Sequence, residues 1–339
     1  MLKKILTVFG RASLLKTHML CQHKAFKITM YMQSMICLLG QQSVFESGSK
    51  MLKKLLGLSV SAKQIQRVSE WYGGQIDPLI QSNHIQFIPQ LPVPKVQDEF
   101  TYTMMDGSML CTVEKEKWKE VKLARIFHGS QNIGIQKNRN YIARSVYISH
   151  VGSIAGFFPK LERHLALLKR SKKVFIGDGA KWIWKWVEDN YPGAIQILDY
   201  YHAIEKIELL AKLYFTQEVK KKEWLDLQKE LLFDNQVLEV IQNIRNIRSN
   251  KKEVKEVKNN AINYYLENED RMMYKTFREM GLLIGSGPIE SAHRNIIQQR
   301  LKLSGQKWSI SGAQSIINLR CYEQSGEWKL IENLIKLAA

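Results

Sequence analysis

Cysteine is scarce. The chain has four in 339 residues, Cys21, Cys37, Cys111 and Cys321, and no Cys-x-x-Cys pair. This spacing argues against a disulfide framework and fits a reducing cytoplasm. Long hydrophobic runs are missing too: no stretch reaches the ~18 apolar residues that span a bilayer. The opening MLKKILTVFG has the basic-then-apolar order of a secretory leader, but its apolar run breaks at Gly10-Arg11, too early for one. Acidic charge is in short supply. Fifty Lys and Arg face 32 Asp and Glu, which leaves +18 at pH 7. A field of that sign recruits polyanions, nucleic acid foremost, although a ribosomal or membrane-surface protein would carry the same balance. Proline is sparse and bunched: four of the seven, Pro78, Pro89, Pro92 and Pro94, fall between 78 and 97 and mark a linker.

Apolar content is ordinary at 45%, which excludes a disordered chain, and the length suits two or three domains. The basic excess is concentrated at the front. Residues 1–97 hold twelve Lys and Arg against Glu46, Glu70 and Asp77, a net +9 and half of the total. Within them Met51–Leu56 reads as a helix closed by Gly57, and Ser61-Ala-Lys-Gln64 as a capping box that opens a second helix. Ile65, Val68 and Trp71 form its inner face, with Lys63, Gln64 and Arg67 outside. Helix, glycine turn and basic helix over about 51–73 have the form of a helix-turn-helix for DNA; an ordinary αα-hairpin gives the same pattern. Cys21 and His23 would make half a zinc site, with no second pair at ligand spacing.

From Glu99 the period changes to that of strands. Phe100–Met105 reads as a strand ending at Asp106-Gly107, Ser108–Glu114 as a second and Trp118–His128 as a third, antiparallel by their short connections. Tyr141–Ile148 is a fourth strand or the start of a helix, and Phe158–Leu168 is amphipathic. The centre of the chain is Lys172–His202, KKVFIGDGAKWIWKWVEDNYPGAIQILDYYH. Val174–Ile176 ends in Gly177-Asp178-Gly179, a helix with Trp182, Trp186 and Val187 follows, and Ala194–Leu198 ends in Asp199, with His202 three residues on. Strand, carboxylate, helix, strand, carboxylate is the rhythm of an α/β unit with parallel strands, whose ligands gather at the strands' carboxyl ends. Converging carboxylates repel unless a cation or a proton lies between them.

Residues 203–280 follow a helical period, with Ile204, Ile207, Leu210 and Tyr214 on one apolar face and Val237, Ile241, Ile244 and Ile247 on another. The run Lys251–Lys258 reads as a solvated helix face. The last part, 281–339, opens with Gly285-Ser-Gly-Pro-Ile-Glu290, where Pro288 suits a first helical turn. Glu290 could sit there for the helix dipole alone. With Asp106 and Asp178 it could instead complete a three-carboxylate set for two Mg²⁺ or Mn²⁺ ions, which clamp both oxygens of an in-line phosphoryl transfer. Arg294, Arg300, Lys302, Lys307 and Trp308 follow as candidate DNA contacts.

MMDGSM, WKEVKLA, GDGAKWIW, LDYYHA, GSGPIES, RLKLSGQKWS and INLR lie in this order over roughly residues 100–320. In these motifs the chain resembles bacterial insertion-sequence transposases of the DDE type, the Kra-type group related to Mutator-like elements. The resemblance implies an RNase H-like mixed sheet with flanking helices, with catalytic roles for Asp106, Asp178 and Glu290. It also implies that 203–280 is a helical insertion between the core segments 98–202 and 281–339, behind a mainly helical DNA-binding region at 1–97. Asp199 and His202 resemble the Asp-x-x-His found after the second catalytic Asp in Mutator relatives, as accessories; a structural histidine after a strand reads the same. The implied partners are transposon-end DNA and target DNA, bound by a homo-oligomer in the cytoplasm at the nucleoid, with no membrane and no small-molecule cofactor. The N-terminal third matches less well, since relatives often carry cysteine pairs there. The rival readings are a nuclease of the same fold that cuts without joining, a domesticated or inactive DNA-binding protein, and a zinc hydrolase built on Asp178, Asp199 and His202.

Overall fold

The computed structural model describes residues 5–7, 10–12, 26, 28–93, 99–136, 139–168 and 171–338. Cys21 and His23 lie outside the described residues, as does the stretch 94–98 of the Pro-rich segment. A short antiparallel hairpin pairs β1 (Ile5–Thr7) with β2 (Gly10–Ala12). Three helices follow: α1 (Met30–Gln42), α2 (Phe45–Leu56) and α3 (Ala62–Gln81). Gly57 ends α2 at φ 66°, the left-handed region that favours glycine, and the Ser61 hydroxyl opens α3 by accepting from Gln64 N–H at 3.2 Å. Ile65 and Val68 face inward as expected, but Trp71 is 43% exposed, and Tyr72 takes the buried place. Pro78 lies inside α3 and does not open a linker. Beyond it Phe87 and Ile88 are buried, and the Phe87 carbonyl accepts from the Tyr322 hydroxyl at 2.6 Å.

Asp106-Gly107 is not a turn. One strand, β3 (Phe100–Cys111), runs straight through it, and the chain reverses only before β4 (Trp118–His128). A Cβ on Gly107 would lie 2.1 Å from Glu120 Oε1, so this glycine serves a close approach within a strand. The hairpin β5 (Asn132–Gln136) and β6 (Arg139–Ile142) leads to β7 (Val146–Val151) and α4 (Ile154–Ala166). Then come β8 (Lys172–Gly177), α5 (Lys181–Asn190) and β9 (Ile195–Leu198). The expected helical stretch holds α6 (Tyr200–Tyr214), α7 (Glu218–Phe233), α8 (Val237–Asn246), α9 (Lys252–Glu267) and α10 (Tyr274–Glu279). A six-residue helix α11 (Gly287–Ala292) passes into a π-helical turn, His293–Gln298, and α12 (Gln299–Leu301). The chain closes with α13 (Ile310–Gln324) and α14 (Trp328–Leu337). The protein is mixed α/β, with a five-stranded mixed sheet in the order β7-β4-β3-β8-β9. Strands β4 and β7 run antiparallel; β3, β8 and β9 run parallel. No helix among the described residues is long and apolar enough to cross a membrane.

Two compact units share these elements: Met1–Glu99 with Gly107–Ser171 and Ser291–Ala339, and Phe100–Asp106 with Lys172–Glu290. In the first, α1, α2 and α3 share one apolar core with α13 and α14, built on Ile36, Leu52, Ile65, Tyr72, Leu319 and Ile331. At the α3–α13 crossing, a Cβ on Gly73 would lie 2.1 Å from the Ser315 carbonyl oxygen, so only glycine admits the two backbones so close. Asn318 Nδ2 locks the crossing by donating to the Gly73 carbonyl and to Asp77 Oδ1, each at 3.0 Å. In the second, aromatic Phe175, Trp186 and Tyr191 seal β8 against α5, and Tyr265 of α9 donates to the Ala203 carbonyl of α6 at 2.6 Å. All the candidate acidic residues belong to this second unit.

Candidate active site

The sheet register lines up three carboxylates. Met105 pairs with Gly177, and Gly177 with Leu198, so the next residue on each strand, Asp106, Asp178 and Asp199, stands at one level. Strand β8 is the middle one, and its apolar run stops where Gly177-Asp178-Gly179 turns toward α5. Asp178 Oδ1 accepts from Ala180 N–H at 3.0 Å, an Asx turn, and Trp184 Nε1 donates to the Asp178 carbonyl at 2.7 Å. The Asp178 carboxyl is half-buried. Burial pushes its pKa above the ordinary carboxylate range, and the Asp106 charge pushes the same way; the Ala180 N–H, His202 and Lys206 pull against them.

Asp199 is fully buried and caps α6. Its Oδ1 accepts from Tyr201 N–H at 2.8 Å; its Oδ2 accepts from His202 Nδ1 at 2.8 Å, from Ser286 N–H at 3.2 Å and from the Ser286 hydroxyl. Burial alone would raise the Asp199 pKa, but the donors from His202, Ser286 and Tyr201 outweigh it and hold the carboxyl below its usual range. The Asp199 hydrogen bond in turn raises His202 to about 9, against the opposing pull of burial. The pair is therefore imidazolium and carboxylate at neutral pH.

The same bonds bring Glu290 to the site across a long excursion of the chain. Tyr200 N–H donates to the Ile284 carbonyl at 2.9 Å, and Ser286, tied to Asp199, supplies the carbonyl that receives Ile289 N–H at 2.8 Å and starts α11. Glu290 is exposed in the first turn of that helix. Among the described residues, Asp199, His202 and Glu290 form the group of three whose ligand atoms all lie within 4.8 Å of one another. Asp199 already accepts four hydrogen bonds, three of them at Oδ2, which makes it an anchor more than a free ligand. Asp106 and Asp178, by contrast, are neighbours through the strand register and their mutual repulsion.

The candidate DNA contacts divide. Lys63, Arg67, Arg294, Lys302 and Lys307 are exposed, and Gln64 is half-buried at the start of α3. Arg67 lies over the Phe26 ring, 5.2 Å from its centroid. Arg300 and Trp308 are buried and cannot serve as surface contacts. Arg300 donates from Nε and Nη2 to the Gly40 carbonyl, both at 3.1 Å, between the rings of Phe45 and Trp308 at 4.7 and 4.9 Å. The sequence signal was a basic run after Glu290; it could not show that Arg300 stands on the inner face of its helix. Three residues that sequence reasoning did not single out also belong here: Ser286, Lys206 and Tyr264. Lys206 was legible in principle, since it follows His202 by one helical turn on α6.

No family model matches the chain. It is 24% identical over 298 residues to a curated protein of Streptococcus gallolyticus named "UPF0236 protein in vanSb 3'region". The alignment covers 86% of this chain and 62% of the relative, so the chain spans less than two thirds of the relative's length.

Proposed function

We propose that the chain is an RNase H-like DDE transposase: it cuts DNA at the ends of an insertion sequence and joins the freed 3′-OH groups to target DNA. The observation that carries this reading is the pair Asp106 and Asp178, level on adjacent parallel strands, with Asp178 pushed toward its protonated form by burial and by Asp106. Like charges held together in this way suit a hard divalent cation with oxygen ligands. The strand order β7-β4-β3-β8-β9, an antiparallel run followed by a return to the far side of the first strand, is consistent with the resemblance in the motifs. The +18 charge favours a polyanionic substrate.

Asp106, Asp178 and Glu290 are the residues that would hold Mg²⁺ or Mn²⁺. When bound, such ions lower the pKa of water or of a 3′-OH and stabilise charge on the phosphate. The His202 imidazolium and the Lys206 ammonium place positive charge beside Asp178, where a phosphodiester oxyanion would need it. Asp199 fixes the His202 ring, and Ser286 fixes the start of the Glu290 helix.

The test is incubation of the purified protein with DNA carrying the element's ends, with Mg²⁺ and a target plasmid. Nicked ends and joined products are expected, and both should fall by orders of magnitude in Asp178→Asn and Glu290→Gln. Asp178→Asn should melt no lower than wild type, because it removes a carboxylate that burial disfavours. Cleavage without joining would leave a nuclease; end binding without any product would leave a DNA-binding protein.

A further inference from the structure

Tyr264 stands on α9, far in sequence from every acidic residue of the site, yet its ring lies across the backbone of Gly179. A Cβ built on Gly179 would fall 2.2 Å from Tyr264 Cε2 and 3.1 Å from its Cζ. On the same ring sits Lys206 Nζ, 4.9 Å from the centroid. The Tyr264 hydroxyl oxygen is buried and has no hydrogen-bond partner among the described residues. Burial, with the charges of Asp178, Asp199 and Glu205, holds the phenol well above its ordinary pKa, so it stays a neutral donor.

An unpaired buried hydroxyl destabilises the fold, and a phenylalanine would pack here without that cost. The donor therefore calls for a use outside core packing. Asp178 lies near enough for its charge to act on the phenol. Among the described residues the Asp178 carboxylate accepts one hydrogen bond, at Oδ1 from Ala180, and Oδ2 receives none. Hydrogen bonds that serve a site are often long before the site is loaded, and tighten afterwards.

We propose that Tyr264 is a positioning residue for Asp178. Its ring fixes the Asp178-Gly179 turn from α9, and its hydroxyl donates to the second Asp178 oxygen when that carboxylate closes on a divalent cation. This rests on the reading of Asp178 as a cation ligand. Through Tyr264 the helical stretch 203–280 has a direct part in setting a carboxylate, beyond any contact with DNA. Outer hydrogen bonds of this kind typically change metal affinity or activity by about 10–100-fold.

The experiment is Mn²⁺ titration of the full chain, followed by the paramagnetic signal of free Mn²⁺, alongside melting curves. Tyr264→Phe should weaken Mn²⁺ binding about 10-fold while melting at or above the wild-type temperature, a split that loss of a structural tyrosine would not give. Asp178→Asn should abolish the same binding. Wild-type affinity in Tyr264→Phe, with Asp178→Asn still abolishing it, overturns the role of Tyr264 alone. Wild-type affinity in Asp178→Asn overturns the cation reading of Asp178 and the proposal with it. A second arm needs no metal: Gly179→Ala should lower the melting temperature, and Tyr264→Leu in the same chain should recover part of the loss by vacating the space. A double variant no more stable than Gly179→Ala overturns the ring contact.

Discussion

At the scale of the residue, Asp199 is the side chain whose role the geometry defines most sharply. Sequence spacing presents it as one more carboxylate at a strand end, interchangeable with Asp178. The structure gives the two opposite environments: among the described residues the Asp178 carboxylate has one donor, at Oδ1, and Asp199 has four donors and no exposure. Asp199→Asn should therefore destabilise the fold, by roughly 2–4 kcal/mol, because it strands the donors of His202 and Ser286 in a buried place. It should also release His202 from about 9 toward the ordinary histidine value of 6.5. The denaturation midpoint and the His202 imidazole shifts followed by NMR check both. A variant that keeps its stability and a high His202 pKa would make Asp199 a free ligand after all. Asp178 was legible because an apolar run stops dead at it. Arg300 and Trp308 were not, because the face of a helix that turns inward is decided by distant partners such as Gly40 and Phe45.

Elements repeat the lesson one level up. The caps at Gly57 and Ser61 were readable because each acts on its own helix end. The strand through Asp106-Gly107 was not, because the glycine answers to Glu120 on a neighbouring strand. In the same way Pro78, a linker signal by composition, sits inside a helix that distant α13 holds in place. Helix α4 carries a pH-dependent weakness. His164, on this helix, bonds through Nδ1 to the Lys160 carbonyl at 2.7 Å, and burial depresses its pKa from 6.5 to about 4. His150 on β7 is depressed to about 4 as well, by burial and then by Lys160 and Lys122, with Asp77 opposing. A base with a depressed folded pKa gives stability that is fully present above 6.5 and lost as pH falls toward 4. For His164 alone the full loss is roughly 3 kcal/mol. Urea unfolding followed between pH 7 and pH 4 should show the first unit weakening over this window, and His164→Gln should flatten the decline. A midpoint that holds steady to pH 4 would remove the effect.

For the whole molecule, charge dominates. An excess of +18 on 339 residues predicts DNA binding whose affinity falls steeply with salt, by about 10³ or more between 50 and 200 mM if six or more phosphates are engaged. Filter binding to random duplex at several salt concentrations measures the slope; a flat response would mean the charge is spread too thinly to hold a duplex. The sequence showed the class of fold, the strand that bears Asp178 and the helical stretch after His202, because each is written in local period. Hidden from it were the ties that draw residues 284–290 back to Asp199 and the core that α1–α3 share with the last two helices. Those depend on which surfaces meet after the chain has closed.

That shared core sets a schedule for the chain's birth. Helices α1–α3 leave the ribosome early, but the partners that cover them, α13 and α14, begin at Ile310, about 230 residues after α3 ends at Gln81. At 5–20 residues per second, their apolar faces wait on the order of 10–50 s for completion. During that interval Ile36, Ile65 and Tyr72 have no native cover from the C-terminal side. Glu290 is also made late, so an unfinished polypeptide holds Asp106 and Asp178 without it. Translation that stalls after the first three hundred residues would leave a sticky fragment, a substrate for chaperones and proteases, while the finished chain buries the same surface for good.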